Sequence, residues 1–109
     1  MDETLLVFTN LPDAEAAGKL ATHLVEHRLA ACVNVLAPCR SVYRWQGRVE
    51  DAREVPLLVK TTATRYAALE AAIRELHPYE LPEIVAVPVS RGLPEYLAWV
   101  AAQTSTGSP

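Results

Sequence analysis

The sequence predicts an α+β domain: a ferredoxin-like βαββαβ two-layer sandwich with a long hairpin between its second and third strands and an extra C-terminal helix. Three observations carry that expectation. Short apolar runs and helically spaced apolar residues follow one another in the order strand, helix, strand, strand, helix, strand. Gln46-Gly47 separates two strand-like stretches as a two-residue hairpin turn would, with the glycine tolerating a positive φ. The strands are also apolar on both faces, which asks for cover on both sides of the sheet.

The elements follow in order. Thr4-Leu5-Leu6-Val7-Phe8-Thr9, bounded by Asn10-Leu11-Pro12, reads as a buried strand. Ala17, Leu20, Ala21, Leu24 and Val25 then recur at helical spacing over about residues 13–28, with Asp13 as N-cap. A strand over 31–36 is broken by Pro38 and resumes at Ser41-Val42-Tyr43-Arg44-Trp45. The return strand, 48–62, is interrupted by Pro56, which folds back opposite Ala37-Pro38. Two prolines meeting across a ladder predict a bulge or bend, because neither donates a hydrogen bond. Thr62 or Thr64 caps a second helix with the stripe Tyr66, Leu69, Ile73 and Leu76, ended near His77 by Pro78. Residues 83–89 form the last strand. Gly92 and Pro94 introduce a third helix carrying Leu97, Val100 and Ala101, with Tyr96 and Trp99 nearby. Residues 1–103 are expected to form one domain and 104–109 a flexible polar tail.

Composition narrows the function classes. The chain has 109 residues, half of them hydrophobic, and a formal net charge of −3. That balance gives no pull toward nucleic acid or an anionic membrane. No apolar run approaches the length of a membrane span, and the acidic opening Met1-Asp2-Glu3 lacks the pattern of a signal peptide. Cys32 and Cys39, on one extended segment, would lie roughly 23 Å apart. Reduced thiols and a cytoplasmic location are the expectation. Opposed apolar sets, such as Leu5 and Val7 against Leu6 and Phe8, leave an open sheet face that the third helix covers only in part. A partner subunit is expected to cover the rest.

Several phrases, in order and at matching separations, resemble one family. They are Leu29-Ala30-Ala31-Cys32-Val33-Asn34, Ser41-Val42-Tyr43-Arg44-Trp45-Gln46-Gly47, Glu54, and Leu58-Val59-Lys60-Thr61-Thr62. His77-Pro78-Tyr79, Pro82-Glu83-Ile84 and Tyr96-Leu97-Ala98-Trp99 complete the set. Over roughly residues 4–103 the chain resembles the CutA divalent-cation tolerance family, which has a PII-like trimeric fold. The resemblance implies a homotrimer whose ribbon reaches a neighbouring subunit, and a link to copper and other divalent cations. It also implies a binding or regulatory protein, not an enzyme.

His77 is the candidate metal ligand, held extended at a helix end by Pro78; the alternative is a histidine that hydrogen-bonds there. In some members of that family copper is assigned to a first-strand cysteine and two consecutive histidines. Phe8 and Leu76 stand at two of those positions, and one imidazole does not hold a metal alone. A divalent metal, copper or zinc, is therefore expected to bind weakly. Tyr43, Trp45, Glu54, Lys60, Tyr79, Glu83 and Trp99 are assigned to an intersubunit cleft or interface, where they either pack or hold a small polar ligand or protein partner. Tyr43 and Trp45 share a ribbon face, as do Glu54 and Lys60.

Other patterns carry less. His23-Leu24-Val25-Glu26-His27 matches H-x-x-E-H, but no third ligand or substrate cleft follows, so a solvated helix edge is the default. Cys32 and Cys39 lack paired metal-site spacing, and Cys39 is the more reactive candidate. The alternative function is a small acylphosphatase-like hydrolase, which needs an arginine in a phosphate loop after the first strand; Thr9-Asn10-Leu11-Pro12-Asp13 has none. RNA binding on the sheet would need exposed aromatic and basic residues that the central strands lack.

Overall fold

The computed structural model describes residues 2–106. Its elements are β1 (Thr4–Leu11), α1 (Ala14–Glu26), β2 (Cys32–Val35), β3 (Cys39–Trp45), β4 (Arg48–Thr62), α2 (Ala63–Leu76), β5 (Val85–Pro88) and α3 (Pro94–Thr104). The sheet is antiparallel in the order β2-β4-β1-β5, with β3 also paired to β4. This is the expected ferredoxin-like sandwich with its long hairpin and extra helix.

Strand β4 organises the sheet. Its C-terminal half lies between β1, in the register Phe8↔Leu58, and β2, in the register Asn34↔Leu58. Its N-terminal half pairs with β3 alone, from Cys39↔Glu54 to Trp45↔Arg48. Between Val35↔Leu57 and Cys39↔Glu54, Leu36, Ala37 and Pro38 face only Pro56 and Val55. That extra residue is the bulge predicted from the prolines. Pro56 accepts from Leu36 N through its carbonyl, so its nitrogen, which has no hydrogen, also faces this irregular edge. Beyond the bulge the ribbon projects, and the chain extends 49 × 26 × 23 Å. Its tip is the expected two-residue turn, with Gln46 (φ 50°) joining Gly47 (φ 78°) in the left-handed region, the geometry of a type I′ turn.

Helices α1 and α2 cover the sheet face that carries Val7, Leu11, Val55, Leu57 and Val59, burying these against Leu20, Leu24, Leu69 and Ile73. Asp13 caps α1, its carboxylate accepting from Ala16 N at 2.8 Å. The same helix ends with Arg28 at φ 56°, where Arg28 N donates to Val25 O and Leu29 N to Leu24 O. This Schellman arrangement usually holds a glycine. Here the arginine is tied down, its guanidinium donating to Gln103 O and its carbonyl accepting from Arg65 Nε.

Helix α3 packs on β4 and β1 and buries Val100 outside the main core, on the other side of the sheet. The rest of that face stays open: Phe8 is 36%, Val85 51% and Val87 44% exposed.

Four expectations are corrected. Leu76 is not part of the α2 stripe, because the helix has turned it to solvent by its last residue. Thr62 stands at the α2 N-cap without a side-chain cap bond; Asp2 reaches in and accepts from Thr64 N at 3.2 Å instead. The last strand is shorter than 83–89. Finally, α3 continues through Thr104, the first residue assigned to the tail, whose buried hydroxyl donates to Val100 O at 2.9 Å. Residues 107–109 of that tail lie outside the described residues.

The Asp13 cap is the cleanest local test. Asp13→Ala should cost about 1 kcal/mol in urea unfolding, and Asp13→Asn should retain most of the stability.

Candidate functional site

A cleft of about 1090 Å³ opens where the ribbon meets the segment after α2. Register explains how its first wall forms. Side chains on alternate residues share a face, so Ser41, Tyr43 and Trp45 of β3 point the same way as Glu54, the partner of Cys39. That face continues the open face of the sheet through β4. The second wall is the segment from Pro78 to Val85, with Tyr79, Leu81 and Glu83. Asn10, from β1, bridges the walls by donating through Nδ2 to Glu83 Oε1 at 3.2 Å.

His77 holds the second wall in place. Pro78 ends α2, and the imidazole that follows the helix is buried. One ring nitrogen, Nε2, lies 2.6 Å from the Asn10 carbonyl, which can only accept, so the ring proton sits there. The other, Nδ1, accepts from Tyr79 N at 3.0 Å. Both nitrogens are thus engaged by backbone. A metal at His77 would first have to displace one of these bonds, so in this conformation the residue is a tie between β1 and the cleft wall. Among the described residues no three His, Cys, Asp or Glu side chains gather as a metal would need.

The tie delivers Tyr79 to Glu54. Glu54 is only 8% exposed. The Tyr79 hydroxyl hydrogen-bonds to its carboxylate, and the tyrosine pKa is pushed up to about 12. Burial is the larger cause, followed by the Glu54 hydrogen bond and charge, since a phenolate would lie buried beside a carboxylate.

Of the cleft residues expected from sequence, the structure brings together Tyr43, Trp45, Glu54, Tyr79 and Glu83 within one chain. Lys60 is not with them. It shares a face with Glu54, as expected, but six strand residues separate the two by about 20 Å. Its ammonium instead donates to Asn34 Oδ1 at 2.7 Å, beside Cys32. Trp99 also lies apart, on α3, half-exposed and stacked obliquely on Tyr96 at 5.5 Å. Sequence reasoning missed Asn10 and the apolar Leu81 and Val85. The Asn10-Leu11-Pro12 signal was read only as the end of a strand.

The remaining motifs lie outside the cleft. His23 and His27 stack at 4.0 Å on α1, and His27 Nδ1 lies 2.9 Å from His23 O. This is a helix-edge arrangement. Both cysteines are free and partly buried, with Cys39 Sγ 3.7 Å from Ser41 Oγ.

Comparison with known proteins agrees along nearly the whole chain. A family model described as "CutA1 divalent ion tolerance protein" matches residues 5–103. The Divalent-cation tolerance protein CutA of Thermus thermophilus is 46% identical over 95% of this chain and 99% of its own length. Protein CutA of mouse is 41% identical over 93% of this chain and 57% of its own length. The solved structure of the Thermus thermophilus protein superposes with a TM-score of 0.91 at 46% identity, covering 96% of this chain and 100% of that one. None of these matches supports the hydrolase alternative.

The Glu54–Tyr79 contact has a measurable signature. A folded-state pKa above the ordinary value of 10.0 favours the folded protein while the phenol stays protonated. That contribution is complete below pH 10 and is lost as the pH rises toward about 12. In a spectroscopic titration at the tyrosinate band, Glu54→Gln should move one tyrosine downward and leave the others in place.

Proposed function

As the chain belongs to the CutA1 divalent ion tolerance protein family, we propose that it serves divalent-cation tolerance as a homotrimeric binding or regulatory protein, not as an enzyme. The observation that carries this reading is the open sheet face leading into the cleft. Phe8 pairs with Val85 and Leu58, and Leu6 with Val87, so these side chains form one apolar surface. Val85 belongs both to that surface and to the cleft wall. An apolar face of this kind favours burial against another copy. A neighbouring subunit would then close the cleft, with its ribbon reaching across. Trp99 and Lys60, outside the cleft of one chain, fall to the interface in this reading.

The cleft is the ligand site we favour, for a small polar molecule or a partner's side chain. A divalent metal, copper or zinc, enters as a weakly held ligand. Support for weak binding is the engagement of both His77 nitrogens, since a selective site converges three or four donors on the ion. We place the protein in the cytoplasm on its two free cysteines; no described helix is long and apolar enough to cross a membrane.

Light scattering should give three times the 11.9 kDa chain mass. Phe8→Asp and Val87→Asp should each shift the protein toward monomer, because each would bury an unpaired charge. A parent protein that is monomeric at micromolar concentration would remove the reading. By calorimetry, copper affinity should change little on His77→Ala beyond any loss of folded protein.

A further inference from the structure

Helix α1 ends on two histidines that the cleft does not use. The helices cover one face of the sheet, and the open face, where a neighbouring subunit would sit, is the other. The outer edge of α1 therefore stays accessible when that open face is covered. His23 is half-buried there and His27 exposed.

Four residues apart on one helix, the two side chains stand on adjacent turns of one face. Their ring centroids lie 4.0 Å apart, with 25° between the ring planes. Two imidazole nitrogens on one ion, each roughly 2.0 Å from it, lie about 3 Å from each other. The pair is thus already spaced for a shared ion. Nitrogen lone pairs lie in the ring planes, so rotation about the Cβ–Cγ bonds turns them onto a common point. That torsion is broad and soft.

Hydrogen bonding decides which nitrogens are available. His27 Nδ1 lies 2.9 Å from the His23 carbonyl, which only accepts, so the ring proton sits on Nδ1. Its Nε2 keeps a bare lone pair. Metal-bound imidazoles have this arrangement, the other ring nitrogen donating to a carbonyl or carboxylate. The His23 ring makes no hydrogen bond to another described residue, only the stacking contact with His27, so it is free to turn. Charge favours a cation at the same place. His27 caps the C-terminus of α1 and His23 lies in its last turn, at the negative end of the helix dipole. Lys19, one turn before His23, is drawn the other way by Glu15 at 3.6 Å. No third side chain converges among the described residues, so solvent would fill the remaining positions. An open pair of nitrogen donors suits Cu(II), which stands highest among the divalent ions for such ligands.

We propose that His23 and His27 chelate a divalent transition-metal ion, copper(II) ahead of nickel(II) and zinc(II), at the C-terminal end of α1. This rests on the reading of the protein as one that serves divalent cations, and gives the weakly held ion a place away from His77.

The test is calorimetric titration of the full chain at neutral pH with the chlorides of copper(II), nickel(II) and zinc(II). Copper should bind at one ion per chain and more tightly than the other two. His23→Ala and His27→Ala should each weaken it about tenfold or more, because the second donor of a chelate binds intramolecularly. The double variant should lose little beyond either single one. Alanine is a strong helix former, so circular dichroism and light scattering of the variants should match the parent. Copper bound equally well by the parent and both single variants would lie elsewhere and overturn the proposal. Two ions per chain, each removed by one substitution without effect on the other, would show separate ligands and overturn it too. A parent that binds none of the three metals would overturn both the proposal and the cation-binding part of the functional reading. The oligomeric part is decided separately, by light scattering of the parent.

Discussion

The pairing of β4 along its whole length is the constraint from which the other features descend. One 15-residue strand holds β1 and β2 with its second half and β3 with its first. The two halves do different work. The second half, flanked on both sides, supplies Leu57 and Val59, which are fully buried under the helices. The first half has a partner on one side only and forms a ribbon beyond the sheet. The one-residue bulge opposite Pro56 divides them. Because β4 itself is unbroken, its alternation carries straight through, and Glu54 falls on the same face as Leu58. The cleft floor is therefore an extension of the open sheet face.

The second wall depends on a single imidazole. Its segment, 78–84, has no regular hydrogen bonding of its own and contains two prolines, Pro78 and Pro82. A loop of this kind wanders unless its ends are fixed. His77 fixes one end by joining the Asn10 carbonyl to the Tyr79 amide, and Asn10 fixes the other by reaching Glu83. One β1 residue thus grips the loop through both its backbone and its side chain. An imidazole suits the role because its neutral ring carries one donor and one acceptor on opposite sides.

Much of this was legible in the sequence, and the reasons differ by residue. The Ala17, Leu20, Leu24 spacing and the Asp13 cap signal an amphipathic helix without ambiguity. Pro38 and Pro56 announced the bulge because a missing donor is a covalent fact. Tyr43, Trp45 and Glu54 could be placed on one face by strand parity. What parity could not supply was distance along the strand: Lys60 shares the face of Glu54 but lies apart from the cleft of one chain, beside Asn34. Helical periodicity likewise misplaced Leu76, since it cannot tell where a helix has already left the core. The Asp2 cap of α2 joins residues far apart in sequence, and the αL turn at Arg28 lacks the glycine that usually marks one. Neither had a local signal to read.

The positions of Lys60 and His77 change the chemistry of the site. With Lys60 in the cleft, both signs of charge would meet there and an anion would be as plausible a ligand as a cation. With Lys60 held by Asn34 instead, the charged groups of the cleft are all carboxylates, and the innermost is the most deeply buried. His77 shifts the balance in the same direction. Had its ring been free, Nδ1 or Nε2 could have offered a metal a nitrogen donor. As both nitrogens serve the scaffold, the site offers dispersed oxygen donors and aromatic faces instead.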